Sequence, residues 1–136
     1  MAQVASAFTA DPELVAALEK RSRPVRLGPD GILFRQGDPP AGIFILQKGT
    51  AILTMRSRKR IVMQTRAGAG SLFGIPAVIG DRPYSLAAEV LEGSEVIFLS
   101  RADFADVMET QPGLSLKILE LLAAEVRFAR QALSDR

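Results

Sequence analysis

The sequence predicts a mainly β fold with flanking helices: a double-stranded β-helix (a jelly-roll-like β-roll) with an N-terminal helix and a long C-terminal helix. Three observations predict it. Helix signals lie at the two ends, short apolar runs fill the middle, and Gly/Pro turns separate those runs. The 136 residues, 48% hydrophobic, suit one packed domain. We divide residues 1–136 into an N-terminal helix (1–23), a β-roll (24–99) and C-terminal helices with a dimerisation role (100–136).

The N-terminal helix is predicted from the segment Asp11 to Glu13. Aspartate is a favourable N-cap, proline fits the first turn, and glutamate suits the positive end of the helix dipole. Leu14 and Leu18 then share one face. The helix is expected to end before Arg23-Pro24, because a residue that precedes proline disfavours the helical conformation.

The central strands are predicted from short runs rich in Ile, Val, Leu and Phe. Glycine, proline and aspartate clusters separate these runs, as in a sandwich or jelly roll. Gly49 lies between the second and the third run, which predicts a tight hairpin there. The runs are ILFRQ, GIFILQ, TAILTM, RIVMQT, SLAAEVL and EVIFLS.

Two C-terminal helices come after the strands. Ser100 and Asp103 resemble a capping box and predict the start of the first helix. The segment Gln111 to Gly113 interrupts it, and a long helix is predicted from about Pro112 to Leu133.

The long helix carries two apolar stripes, and two stripes require two partners. One stripe has the alternating three–four spacing of a coiled-coil seam, which predicts a homodimer. The other is expected to pack on the strands. The alternative is one broad face buried within a single monomer. The seam comprises Leu119, Leu122, Val126, Ala129 and Leu133, and the second stripe Leu114, Ile118 and Leu121.

Two residue types are absent, and their absence restricts the chemistry of the chain. Without Cys or His there are no disulfides, no Cys or His metal sites, and no Ser-His-Asp or Cys-His catalysis. No clustered Asp/Glu pattern suggests a metal, and no catalytic residue is predicted. The chain is therefore not expected to be an enzyme. An enzyme on a related β-fold, such as a cupin, would require His ligands.

Neither a membrane segment nor a secretion signal is predicted. No apolar run approaches the roughly 20 residues of a transmembrane helix. The N-terminus lacks the charged and apolar regions of a signal peptide, so a cytoplasmic location is expected.

A basic run, Arg56 to Arg60, carries four positive charges between two strands. It is interpreted either as an anion or nucleic-acid contact or as a solvated hairpin tip, and the tip is favoured because no aromatic residues alternate with the charges.

Three landmarks occur in order: GILFRQGD (Gly31 to Asp38), IFIL followed by Lys48-Gly49 (from Ile43), and GSLFG (Gly70 to Gly74). In this order, from about Asp11 to Leu133, the chain resembles the cyclic nucleotide-binding domain of the CRP/FNR (catabolite activator-like) family. The resemblance implies a regulatory domain with a small-molecule effector, a cyclic nucleotide or another, in signal transduction or transcription regulation.

The resemblance also implies a phosphate-binding cassette after the Phe-Gly pair. There a short helix offers backbone N–H groups to the cyclic phosphate, an arginine pairs with the phosphate, and a glutamate holds the ribose. Phe73 and Gly74 match this pattern. Ile75 stands at the glutamate position and Tyr84 at the arginine position, so both charged contacts are missing. Cyclic AMP binding in the usual way is therefore not expected.

The remaining cassette positions are mixed. Ser85 takes the hydroxyl position and Ala77 the small-residue position, whereas Pro76 removes one backbone N–H. Arg82 is the candidate replacement for the missing arginine, and its alternative is a solvated loop charge. Tyr84 either lines a new pocket or seals the old one.

These residues leave two functional hypotheses. In the first, a homodimeric regulatory domain senses a different, less acidic effector. In the second, the pocket is collapsed and the domain serves only for dimerisation or for binding a protein partner. Family members that regulate transcription carry a winged helix-turn-helix after the long helix. The three residues after Leu133 are too few for a recognition helix, so no DNA-binding domain is expected in this chain.

Overall fold

The computed structural model describes residues 4–134, which form nine strands and four α-helices. A 3-10 turn, Pro112–Leu114, precedes the last helix. The strands are β1 Val4–Ala5, β2 Arg23–Pro24, β3 Ile32–Phe34, β4 Gly42–Lys48, β5 Ala51–Ser57, β6 Arg60–Ala67, β7 Leu72–Phe73, β8 Ala87–Val90 and β9 Glu95–Ser100, and the helices are α1 Pro12–Glu19, α2 Ile75–Gly80, α3 Arg101–Thr110 and α4 Ser115–Ser134.

The strands form two sheets, the arrangement predicted for a β-roll with flanking helices. One sheet has the order β1-β6-β5-β8-β3 and the other β2-β9-β4-β7. Alternate residues of a strand face opposite sides of the sheet, and both faces of strand β4 are covered. Phe44 and Leu46 belong to the core with residues of both sheets, whereas Ile43 and Ile45 pack with residues of α1, α3 and α4. We call these the inter-sheet core and the helix-side core.

The predicted hairpin at Gly49 is wrong. Strand β4 pairs with β7 and β9, whereas β5 pairs with β6 and β8, so the chain crosses from one sheet to the other at Gly49. Gly49 has φ +102°, and a Cβ there would lie 2.1 Å from Ser94 Oγ. A corner between two sheets that passes this close to a neighbouring turn requires glycine, and so does a tight hairpin. The presence of glycine at position 49 therefore could not distinguish a corner from a hairpin.

The helix caps agree with the sequence. The Glu13 backbone N–H donates to Asp11 Oδ1 at 2.8 Å, and the Asp103 N–H donates to Ser100 Oγ at 3.2 Å. Helix α1 ends at Glu19, before Arg23-Pro24 as expected, with Lys20 as its C-cap. The Arg21 and Ser22 N–H groups donate to Leu18 and Glu19 carbonyls in a turn, before β2 begins.

The segment before α1 is not helical. It contains β1, which pairs in parallel with β6, and then Phe8, which is buried in the inter-sheet core. Of the predicted domain 1–136, residues 1–3 and 135–136 lie outside the described residues. The long C-terminal helix is present, but its regular part begins at Ser115, after the 3-10 turn.

Candidate functional site

The cassette begins at the end of β7, where Gly74 takes a left-handed conformation with φ +100°. A Cβ at this position would lie 2.9 Å from the Gly42 carbonyl oxygen and 2.9 Å from Tyr84 Cε1. Glycine is therefore required both by the backbone conformation and by the close approach of Tyr84. Helix α2 comes directly after it, as the resemblance implied.

Tyr84, at the arginine position, is a core residue with only 3% of its surface exposed. Its ring stacks on Phe34, with centroids 4.0 Å apart and planes tilted by 22°. Its hydroxyl donates to the Gly42 carbonyl oxygen at 2.7 Å and accepts from the Gly42 N–H at 3.1 Å. Burial raises the pKa of Tyr84 above its usual value, so the phenol stays neutral.

Beside Tyr84 lies a cavity of about 30 Å³. Gly74, Pro76 and Ala77 line one side, Tyr84 and Ser85 another, and its remaining walls include the rings of the inter-sheet core. A cavity needs roughly 10–15 Å³ to hold one water, and small-molecule sites usually measure about 300–1,000 Å³. The cavity therefore has space for two or three waters and is about one tenth of the smallest usual small-molecule site.

Glu125 of α4 reaches this cavity and brings a carboxylate to it. Its Oε2 atom is buried and has no hydrogen-bond partner within residues 4–134. Burial raises the pKa of Glu125 to about 8. A carboxyl with this pKa is largely protonated and uncharged at neutral pH, so it supplies no counter-charge for a phosphate.

Sequence reasoning missed Glu125, although a signal was present. Ile118, Leu121 and Glu125 are spaced three and four residues apart, which places all three on one helix face. Ile118 and Leu121 are 3% and 5% exposed, so this face is the buried one. A single acidic residue that continues a buried apolar stripe indicates either an energetically costly buried group or a functional site.

Two of the predicted site residues do not reach the cavity. Ile75 is fully buried, but it packs in the helix-side core and does not line the cavity. Arg82 is exposed and also lies outside the lining, while its backbone N–H donates to the Ala77 carbonyl at 3.0 Å and closes α2. The exposed side chain of Arg82 fits the alternative of a solvated loop charge, in a turn that comes just before Tyr84.

The two stripes of α4 lie on different faces. The second stripe is buried at Leu114, Ile118 and Leu121, with 3–5% exposure. The predicted seam is open: Leu119, Val126 and Leu133 are 60%, 56% and 42% exposed. Within the seam, Leu122 and Ala129 are half-buried, and Leu122 also packs against the helix-side core.

The comparisons with known proteins agree with this fold. Residues 24–111 match the cyclic nucleotide-binding domain model. The "CRP-like cAMP-activated global transcriptional regulator" of Mycobacterium tuberculosis is 23% identical over 126 residues, 92% of this chain and 56% of the relative. The chain thus spans about half the length of the curated relatives it matches.

Solved structures show the same fold. The catabolite activator protein of Thermus thermophilus superposes with a TM-score of 0.71 and 25% identity, covering 91% of this chain and 59% of that one. The N-terminal domain of a Streptomyces coelicolor transcriptional regulator superposes with a TM-score of 0.65 and 23% identity, covering 93% and 88%.

This chain belongs to the cyclic nucleotide-binding domain family and is of the CRP/FNR type. The predicted fold class and the predicted family are thereby confirmed. No helix within residues 4–134 is long and apolar enough to cross a membrane.

Proposed function

We propose that this domain is a regulatory dimerisation module whose cassette is closed to cyclic nucleotides. Tyr84 carries the proposal. Its ring occupies the position of the phosphate-binding arginine and is held by the Phe34 stack and by both Gly42 hydrogen bonds. Opening the pocket would expose the ring and leave buried backbone groups unpaired, each at a cost of about 1–3 kcal/mol.

Charge supports the same proposal. A cyclic nucleotide brings an anionic phosphate, whose usual partners, an arginine and a glutamate, are replaced by Tyr84 and Ile75. Each lost charge-assisted hydrogen bond costs about 1.5–3 kcal/mol, so two losses weaken binding by roughly a thousandfold or more. Glu125 brings a largely protonated carboxyl to the cavity, where a phosphate would need a cation.

The dimerisation half of the proposal rests on α4. Leu119, Val126 and Leu133 expose an apolar stripe over 14 residues, about 21 Å of helix. These three residues are seven apart, one heptad each, and the half-buried Leu122 and Ala129 between them complete the three–four spacing of a coiled-coil seam, which a second copy of the same helix would match. The regulatory output is proposed by analogy with the Mycobacterium tuberculosis relative, whose name describes a transcriptional regulator.

Two measurements on the same protein test the proposal. Calorimetric titration with cyclic AMP, cyclic GMP and cyclic di-GMP is expected to give no binding heat, with the Mycobacterium tuberculosis relative as positive control for cyclic AMP. Sedimentation is expected to give a dimer whose mass is independent of added nucleotide. Micromolar binding of any of the three nucleotides overturns the closed cassette, and a monomer in dilute solution overturns the dimer.

The effector-sensing hypothesis has one supporting observation, the buried and unpartnered Glu125 carboxyl beside the cavity. A ligand for this position would form a hydrogen bond with the Glu125 carboxyl, accepting from it when it is protonated or donating to it when it is ionised. The cavity of about 30 Å³ restricts such a ligand to the size of a water or ammonium unless Tyr84 moves.

A further inference from the structure

A second and much larger depression lies on the five-stranded sheet, between the β5–β6 hairpin and the strands β3 and β8. Its volume is about 770 Å³, within the usual range for small-molecule sites. It is separate from the cassette cavity. Leu53 lines the cassette and its neighbour Thr54 lines this groove, so the two sites lie on opposite faces of β5. We call it the outer-sheet groove.

The floor of the outer-sheet groove is mostly apolar. Ile32, Ile52 and Ala87 contribute aliphatic surface. Thr54, 6% exposed, accepts a hydrogen bond at Oγ1 from Gln64 Nε2 at 3.2 Å, so these polar groups partly satisfy one another. Such a floor suits a flat or apolar body rather than a second charged group.

The charges at the outer-sheet groove are unbalanced. Among residues 4–134 no ion pair involves its four cations, and one carboxylate, Glu89, shares the lining. Like charges gathered at a concave surface repel one another and attract an anion. The four cations are Arg35, Arg56, Arg58 and Lys59.

The basic wall is held in place by side-chain hydrogen bonds. Gln36 Oε1 accepts from the Arg56 N–H at 2.9 Å, and Gln36 Nε2 donates to the Arg56 carbonyl at 2.9 Å. This pair ties the β5–β6 hairpin to the loop after β3. The backbone that carries the hairpin cations is therefore anchored at Arg56 before any ligand arrives, which lowers the entropic cost of binding.

The hairpin turn itself carries strain. Ser57 pairs with Arg60, leaving Arg58 and Lys59 as a two-residue turn with φ +52° and +69°. Such turns favour Asn-Gly, and a left-handed conformation costs other residues about 1–2 kcal/mol each. Two cations at positions that disfavour them indicate that their charge matters more than the turn geometry.

We propose that the outer-sheet groove binds a small organic anion, a phosphate or similar group attached to an apolar or aromatic body. The anion lies against the four cations, and the body lies on the floor beside Thr54. The recessed floor and the limited volume favour a small molecule over a nucleic-acid duplex. The outer-sheet groove is independent of the closed cassette, because the two sites share only the edge of Phe34.

The test uses 1-naphthyl phosphate as the probe, with inorganic phosphate and 1-naphthol as its two halves. NMR titration of the whole chain is expected to shift amides of Thr54, Gln64 and Arg58, with the probe binding at least about tenfold more tightly than either half. The proposal is overturned if inorganic phosphate binds as tightly as 1-naphthyl phosphate, or if the probe does not shift these amides. It is also overturned if the chain binds a DNA duplex but does not bind the probe.

Variants sharpen the test. Arg56→Gln is expected to lower the affinity for the probe by about tenfold, because one charge-assisted contact is lost. Glu89→Gln removes the competing carboxylate and is expected to strengthen binding. Arg60→Gln is the matched control, because Arg60 belongs to the same hairpin but lies outside the lining, and is expected to change affinity less than about twofold. Equal effects of Arg56→Gln and Arg60→Gln contradict a specific site.

The turn provides a variant for which misfolding is not a concern. Replacing Arg58→Asn together with Lys59→Gly supplies the favoured turn residues and removes two charges. The urea midpoint is expected to rise while probe affinity falls by about tenfold or more. If stability rises and affinity is unchanged, the basic run is a solvated hairpin tip.

Discussion

The hydroxyl of Tyr84 is hydrogen-bonded to both backbone groups of Gly42, 42 residues earlier in the chain. This contact joins the segment after α2 to the first residue of β4. In the proposed function the same ring also closes the cassette, so one side chain would be responsible both for local stability and for the loss of the site.

Replacing Tyr84→Phe removes the hydroxyl and keeps the ring. The variant is expected to lose about 1–3 kcal/mol of unfolding free energy, because the buried Gly42 N–H and carbonyl lose their partner. Urea denaturation monitored by circular dichroism measures it. Ser85→Ala is the neighbouring control and should stay within about 0.5 kcal/mol of the wild type, since Ser85 is exposed. Equal losses in both variants would contradict the role of the hydrogen bonds.

Gly49 and Gly93 form a matched pair that separates crowding from backbone strain. Both have positive φ, +102° and +86°, but a Cβ at Gly49 would lie 2.1 Å from Ser94 Oγ, whereas a Cβ at Gly93 meets nothing within 4 Å. Alanine at Gly93 is expected to cost about 1–2 kcal/mol. Alanine at Gly49 is expected to cost roughly a further 1–3 kcal/mol, as in an overpacked core.

Thermal or urea unfolding of the two variants checks this ranking. If Gly93→Ala were as costly as Gly49→Ala, conformational strain alone would explain both, and the corner between the sheets would not depend on close contact with Ser94.

The sequence predicted correctly those features that depend on interactions between residues close together in the chain, such as helix caps. Asp11 and Ser100 cap helices through hydrogen bonds to N–H groups two and three residues ahead. Pairing of strands is not local, and this is where the sequence failed. The true two-residue hairpin turn, Arg58 and Lys59, lies in the basic run that the sequence placed between two strands, although neither residue is the Asn-Gly that such turns favour.

The candidate site was predicted by position but not by conformation. The sequence placed Tyr84 at the cassette and left open whether it lines or seals the pocket, because its partners Phe34 and Gly42 are distant in the chain. Glu125 was missed because the long helix was interpreted only through its apolar residues. Its role depends on the packing of α4 beside Phe8, whose ring centroid lies 5.8 Å from that of Phe128 on the same helix, and this contact between distant segments has no local signal in the sequence.

The proposed dimer is tested by charges placed on α4. Leu119→Glu with Val126→Glu puts two acids on the exposed seam, and sedimentation is expected to show monomers because a desolvated charge opposes packing. These sites are preferable to Leu122, which also packs against the helix-side core. Gln131→Glu introduces the same residue on an exposed position outside the seam and should remain dimeric. Unchanged mass in the double variant would contradict the seam.

Glu125 makes the stability of the domain depend on pH near neutrality. Its pKa is about 8 in the folded chain against an ordinary value of 4.5, so between these values the folded state binds one more proton than the unfolded state. Unfolding free energy therefore falls as pH rises through that window, with a slope of at most about 1.4 kcal/mol per pH unit. The chain has no histidine, so no other ordinary side chain titrates there.

The variant Glu125→Gln keeps the shape of the side chain and removes the titration. Its unfolding free energy is expected to match the wild type near pH 5, to exceed it at about pH 8, and to vary little between them, measured by urea denaturation at each pH. Glu120→Gln, on an exposed position of the same helix, should keep the wild-type slope. If Glu125→Gln also runs parallel to the wild type, the carboxyl is solvated, and the cassette is more open than the proposed function requires.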